Sequence, residues 1–288
     1  MFNTIQLSAE YLKKNGIDNP RTSAEILLGY VLNMKRIDLY LYYDKILSKN
    51  HISQYKKVIE KRANKEPLQY ITGSTEFMSL PFIVNPAVFI PRPETELLVE
   101  IVIEETKKKW NDEEKITILD IGTGSGNIAV SLTHYIKNAE VTTIDISDDT
   151  LKTAKENALL NNVADRIKFK NLSIVDADKN EFKDVSIIVS NPPYIPLEDY
   201  TNLPAEVKDY EPERSLHDNS DGLTFFRIIL EKSRNYLADG GMLFMEMGMG
   251  ESKDVRAIAE SRRFSNITII KDYQQIDRII FCEKKTVK

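Results

Sequence analysis

The stretch LDIGTGSGNIAV, Leu119 to Val130, constrains this chain more than any other. An apolar run enters a turn with glycines at Gly122, Gly124 and Gly126, and an apolar helical pattern leaves it. Glycine at every second position strips the turn of Cβ atoms, so a ligand can approach the backbone closely. Such a turn joins a strand to a helix, and the rest of the chain repeats that unit. The strands ITILDIG, VTTIDIS, IKFK, VSIIVSN and GMLFMEM alternate with helices expected over 127–136, 148–160, 222–237 and 251–260. Near-continuous apolar strands between helices predict a mostly parallel sheet covered on both faces. ITIIKDY and DRIIFCEK add an antiparallel pair at its edge, which makes seven strands in an α/β, Rossmann-like fold.

The chain is long enough, at 288 residues, for a second, smaller domain. Thr22 or Ser23 reads as an N-cap ahead of Ile26, Leu27, Tyr30 and Val31, and 51–63 is a further amphipathic stretch, so 1–72 is expected to be all-helical. Short β-branched and aromatic runs broken by Pro and Gly follow, which predict a hairpin linker over 73–93. The α/β domain then occupies 94–288, opening with a helix behind Pro93. Cys282 is the only cysteine and the histidines are His51, His134 and His217, so neither a disulfide framework nor a metal site is expected. The N-terminus lacks the basic start and apolar run of a signal peptide, and no segment is long and apolar enough for a bilayer; the expected location is the cytoplasm. A net charge of -5 weighs against a protein whose main task is gripping a polyphosphate backbone.

The glycine turn reads G-x-G-x-G, whereas a dinucleotide site has G-x-G-x-x-G and directs a pyrophosphate at a helix N-terminus. Asp120, directly before the turn, would repel a pyrophosphate and suits a ligand with a cationic amino group. Asp145, at the end of the second strand, stands where a carboxylate can hold ribose hydroxyls. S-adenosylmethionine satisfies these features together; NAD, or a turn that merely closes a βα unit, remains the alternative.

A second signal, Asn191-Pro192-Pro193-Tyr194, stops the strand VSIIVS. Prolines remove N–H donors and leave carbonyls that only accept. A site lined with acceptors suits an NH2 group: Asn191 Oδ1 and the Pro192 carbonyl would each take one hydrogen, with the Tyr194 ring against the flat group. The plain alternative is a strand stop made of turn-forming residues.

In order and spacing, AEILLGYV, EPLQYITGSTEF, IPRPETE, LDIGTGSGNIA, VSNPPYI and YEPERSL resemble one family over nearly the whole chain. It is the HemK/PrmC-like family of bacterial S-adenosylmethionine-dependent glutamine N5-methyltransferases that modify peptide chain release factors. The resemblance implies that Gly122, Thr123, Gly124, Ser125 and Gly126 wrap the methionine end of the cofactor and that Asp145 binds its ribose. Asn191, Pro192, Pro193 and Tyr194 would hold the substrate amide, with Asn191, Pro192 and Tyr194 catalytic and Asn191 also beside the cofactor. The implied substrate is the glutamine of the Gly-Gly-Gln loop of release factors, docked with help from the helical domain. After the third strand the family has an acid and a large apolar residue beside the adenine. Here that place falls either to Ser173 with Ile174 or, after a small shift, to Asp176.

Arg92 and Glu94 are expected to hold the hairpin, Glu211 and Pro212 to order a loop beside the site, and Glu246 to be a polar strand end. Two rival functions stand beside this one. A DNA N6-adenine methyltransferase would use the same motif on a flipped base, and an adaptor would keep the fold without the chemistry. The acidic balance speaks against the first and the intact Asn191 against the second. A monomer without stable nucleic acid or membrane partners is expected.

Overall fold

The computed structural model describes residues 1–42, 44–111 and 113–286. Two compact units divide the chain, one built from Met1–Ser74 with Pro204–Tyr210, the other from Thr75–Leu203 with Glu211–Lys288.

The first unit is helical: α1 (Phe2–Lys14), α2 (Pro20–Leu32), α3 (Arg36–Leu41), α4 (Lys49–Ala63) and α5 (Leu68–Thr72). The start of α2 differs from expectation. Asn19 takes the N-cap position in a left-handed conformation and Pro20 opens the helix, so Thr22 and Ser23 lie inside the first turn. Proline's fixed φ and missing N–H suit that opening position, which is why the helix begins earlier than a hydroxyl cap would place it. Leu12, Leu27, Leu28 and Tyr55 centre the core, and the Tyr55 hydroxyl donates to the Ala24 carbonyl at 2.9 Å. Glu25 lies in this interior at 1% exposure. It accepts from Arg21 at 2.9 Å, Arg36 at 2.7 Å and Tyr40 at 2.6 Å, tying α2 to α3. Pro204–Tyr210 joins this unit through an Arg62–Glu206 ion pair at 2.7 Å and a bond from the Tyr210 hydroxyl to the Asn64 carbonyl at 2.7 Å.

The second unit begins with a hairpin, β1 (Ser74–Phe77) and β2 (Leu80–Ile83), turned at Met78 and Ser79 with φ of 52° and 57°. Both central residues of a two-residue hairpin turn of this hand need positive φ. Glu96, not the expected Glu94, holds the turn by accepting from the Met78 amide at 2.6 Å. Spacing could not separate these two acids, because they lie two residues apart in the first turn of α6 (Pro93–Lys109).

There follow β3 (Ile116–Ile121), α7 (Asn127–Tyr135), β4 (Ala139–Asp145), α8 (Asp148–Leu160), β5 (Ile167–Asn171) and β6 (Val185–Ser190). Next come the single turns α9 (Leu197–Tyr200) and α10 (Ala205–Lys208), then α11 (Thr224–Tyr236), β7 (Leu237–Glu246), α12 (Ser252–Ser261), β8 (Phe264–Lys271) and β9 (Asp277–Lys284). The sheet runs β5-β4-β3-β6-β7-β9-β8. Pairs β5-β4, β4-β3, β3-β6 and β6-β7 are parallel, and β9 pairs antiparallel with β7 and with β8. The α/β, Rossmann-like expectation therefore holds, seven strands included. Ile187 and Val189 pack into one apolar cluster while Ile188 between them packs into the other. Burial on both faces is what made these strands read as unbroken apolar runs. Strand order reverses between β4-β3 and β3-β6, and at such a switch point an open sheet leaves a crevice at its carboxyl edge.

Candidate functional site

The carboxyl ends of β3, β4 and β6 open into a cavity of about 290 Å³, to which Gly122, Asp145 and Asn191 all contribute. At the end of β3 the chain turns through Gly122, Gly124 and Gly126 at φ of 79°, 54° and 82°. Backbone amides of Gly122 and Thr123 donate back to the Ile144 carbonyl of β4 at 2.9 and 3.2 Å. A Cβ placed on Gly122 or Gly124 would meet nothing within 4 Å, so both border open space; one on Gly126 would press on Ala154 at 3.1 Å. Two of the glycines thus keep room for a ligand, and the third lets α7 pack against α8. Asn157 of α8 braces the turn by donating to the Ser125 carbonyl at 2.8 Å.

Asp145 stands at the cavity wall with its oxygens accepting from the Gly124 amide at 3.3 Å and the Ser147 amide at 3.1 Å. Burial pushes its carboxyl above the ordinary range, and these two amides and the Arg214 guanidinium pull the other way. Arg214 lines the same cavity and donates to Thr150 Oγ1 at 3.2 Å. Asp120 departs from expectation, for it is fully buried and no part of the cavity wall. Its side chain turns under the sheet to accept from Thr143 at 2.7 Å, its Oδ1 has no hydrogen-bond partner, and burial raises its pKa to about 6. Parallel strands alternate their faces, so adjacency to the turn does not carry a side chain to the turn's open side.

Leu172, Ser173, Ile174 and Val175 after β5 line the cavity, and Asp176 does not. Opposite them, β6 ends at Ser190, whose hydroxyl donates to the Ile121 carbonyl at 2.7 Å and so joins the two strand ends. Asn191, Pro192, Pro193 and Tyr194 follow along the wall. Asn191 Nδ2 donates to Thr95 Oγ1 at 3.1 Å, and the Tyr194 hydroxyl donates to Glu246 Oε1 at 3.1 Å. Burial first, and then the Glu246 charge, hold that phenol well above its usual pKa. Gly222, at φ 83°, lies so close to the Tyr194 carbonyl that a Cβ would run into it.

Sequence reasoning missed two parts of this wall and one residue that holds it from behind. Phe89, Pro91 and Thr95 come from the end of the linker and the first turn of α6. Arg214, Ser215 and Leu216 come from YEPERSL, a segment held by Glu211, which pairs with Arg92 and accepts from the Ile90 amide at 3.2 Å. Glu246, read as a strand end, is buried to 2% exposure and accepts from Thr95 Oγ1 at 2.7 Å. IPRPETE contained the signal for Thr95: a hydroxyl residue between acids in a first helical turn.

Two known families match the chain, the "PrmC N-terminal domain" over residues 3–73 and the "Methyltransferase small domain" over residues 83–202. The release factor glutamine methyltransferase of Fusobacterium nucleatum is 38% identical over 278 residues, covering 96% of this chain and 77% of that protein. Its counterpart in Clostridium acetobutylicum is also 38% identical, over 269 residues and 93% of each chain. The chain belongs to the release factor glutamine methyltransferase family. Among solved structures, a methyltransferase of Pyrococcus furiosus matches with a TM-score of 0.51 at 17% identity, over 72% of this chain and 90% of that one, a likeness of fold alone. The residues present fit S-adenosylmethionine: open space over Gly122 and Gly124 for a ligand pressed on the backbone, and an oriented carboxylate at Asp145. Among the described residues no group of His, Cys, Asp and Glu could hold a metal ion, and no helix is long and apolar enough to cross a membrane.

Proposed function

We propose that this chain transfers a methyl group from S-adenosylmethionine to the side-chain amide nitrogen of the glutamine in the Gly-Gly-Gln loop of peptide chain release factors. One observation carries the reading: Asn191-Pro192-Pro193-Tyr194 stands at the carboxyl end of β6, on the wall of the cavity that the glycine turn opens. When bound, S-adenosylmethionine supplies an electrophilic methyl group on a sulfonium. Gly122, Thr123, Gly124, Ser125 and Gly126 hold its methionine end, Asp145 accepts from its ribose hydroxyls, and Ser173 with Ile174 flanks its adenine.

Asn191 Oδ1 and the Pro192 carbonyl accept the two hydrogens of the glutamine NH2, and the Tyr194 ring backs the flat amide. An amide nitrogen is a poor nucleophile because its lone pair is delocalised, so fixed acceptors and fixed distance carry most of the work. The bond from nitrogen to the methyl carbon would form as the sulfur–methyl bond breaks, its electron pair staying on sulfur and leaving a neutral thioether, and the nitrogen would lose one of its two hydrogens to water as a proton. Residues 1–72 serve to dock the release factor, 73–93 link, and 94–288 perform the transfer.

The test is transfer of a labelled methyl group to a release factor, to the same factor with its Gly-Gly-Gln glutamine replaced, and to duplex DNA. Label on the intact factor alone is expected. Label on DNA alone, or on the factor lacking that glutamine, overturns the reading.

A further inference from the structure

Three hydrogen bonds behind the Asn-Pro-Pro-Tyr segment have a fixed chemical direction. They begin at Glu246, the last residue of β7. Its Oε2 accepts from Thr95 Oγ1 at 2.7 Å, and its Oε1 accepts from the Tyr194 hydroxyl at 3.1 Å. Above its raised pKa Glu246 is ionised and has no hydrogen to give, so the Thr95 hydroxyl must then use its single hydrogen on Glu246. Toward Asn191 it can then offer only lone pairs. The NH2 half of the Asn191 amide can meet them, and it does so at 3.1 Å; the oxygen half cannot. Asn191 Oδ1 is left as the end of the amide free to accept.

We propose that Thr95 and Glu246 are positioning residues for methyl transfer: the carboxylate sets the direction of the threonine hydroxyl, and the hydroxyl sets which end of Asn191 meets the substrate NH2. This rests on the function proposed above. The same carboxylate holds Tyr194 by its hydroxyl, so one buried group orients both polar members of the motif. It can do so because Ser190, the last residue of β6, pairs with Met245, one residue before the end of β7, while Thr95 enters from the first turn of α6. Reversing the chain would turn the Asn191 NH2 toward the substrate NH2, donor against donor. Glu246→Gln permits that reversal, since the amide NH2 it introduces can donate to Thr95.

The experiment uses the full-length chain with Thr95→Val, Thr95→Ser, Glu246→Gln and Asn191→Ala. It reads kcat and KM on an intact release factor, S-adenosylmethionine affinity by equilibrium binding, and the melting temperature. Thr95→Val and Glu246→Gln are expected to lower kcat about tenfold or more, the scale of losing an orienting partner one bond behind a reacting group. KM and cofactor affinity should change little, and Thr95→Ser, which keeps the hydroxyl, should retain turnover. A loss below about threefold in Thr95→Val, or a Thr95→Ser as impaired as Thr95→Val, overturns the proposal. Should Glu246→Gln fail to fold, the two Thr95 variants decide. Failure of the wild type to methylate the factor would instead sink the function, since the relay is judged only by ratios to wild type.

Discussion

Glu25 in the helical unit and Glu246 behind the cavity wall are both buried carboxylates, at 1% and 2% exposure. Their surroundings set them apart. Burial alone would raise Glu25, yet the Tyr40 hydroxyl and the guanidinium groups of Arg21 and Arg36 outweigh it and hold the acid below its ordinary range. Glu246 accepts from the hydroxyls of Thr95 and Tyr194; burial outweighs these and the Arg278 charge, and the acid stays raised. The first carboxylate is a tie between helices that stabilises its unit. The second burdens the fold, and its use is directional. A buried charge is worth having for stability only where full partners offset its lost hydration.

Asn191→Ala should lower turnover about a hundredfold, or about 2.7 kcal/mol in the barrier; steady-state kinetics on a release factor would show this. Unchanged turnover would mean that neither Asn191 nor the group behind it orients the substrate. Glu25→Gln should destabilise the helical unit by about 2 kcal/mol, below the usual loss for a broken buried pair because Arg21 and Arg36 are half exposed and regain water. Hydrogen exchange of α2 and α3 measures that loss. Gly222→Ala forces a Cβ toward the Tyr194 carbonyl at a left-handed φ and should cost about 2 kcal/mol, with turnover falling as the Tyr194 backbone shifts. Glu246→Gln should change stability by less than about 1 kcal/mol, because an amide removes the desolvated charge while keeping the shape. A stability loss there as large as at Glu25 would erase the distinction.

The pH dependence sharpens the same contrast. With its folded pKa lowered, Glu25 contributes stability that is full above the ordinary carboxylate pKa and is lost as pH falls through the folded value. With its folded pKa raised, Glu246 adds a burden that grows as pH rises from the ordinary value through the folded one, and acid relieves it. Acid titration should therefore weaken α2–α3 protection in the wild type but less so in Glu25→Gln. Around β7 the acid response should have the opposite sign and vanish in Glu246→Gln.

Much of the catalytic unit was legible because it is written locally. Apolar strands, a glycine turn and a proline stop are contiguous signals, and α8 runs from Asp148 to Leu160 as its pattern predicts. The errors came from faces and distance. Asp120 sits next to the turn in sequence but points under the sheet. Glu246 is the strand end it read as, but its partners, Thr95 and Tyr194, are 151 and 52 residues away and left no local sign. Arg214 gave no local sign that it would stand across from Asp145.

Residue spacing was enough to specify a parallel α/β sheet, a glycine turn that leaves the backbone open and a proline-rich strand end beside it. Each of these is a property of neighbouring residues, set by steric freedom and donor inventory. Which end of Asn191 faces the donor's partner was settled only when α6, β6 and β7 converged. Hydrogen-bond direction is a property of a connected chain of groups, and this chain connects residues that only folding brings within 3.1 Å of one another.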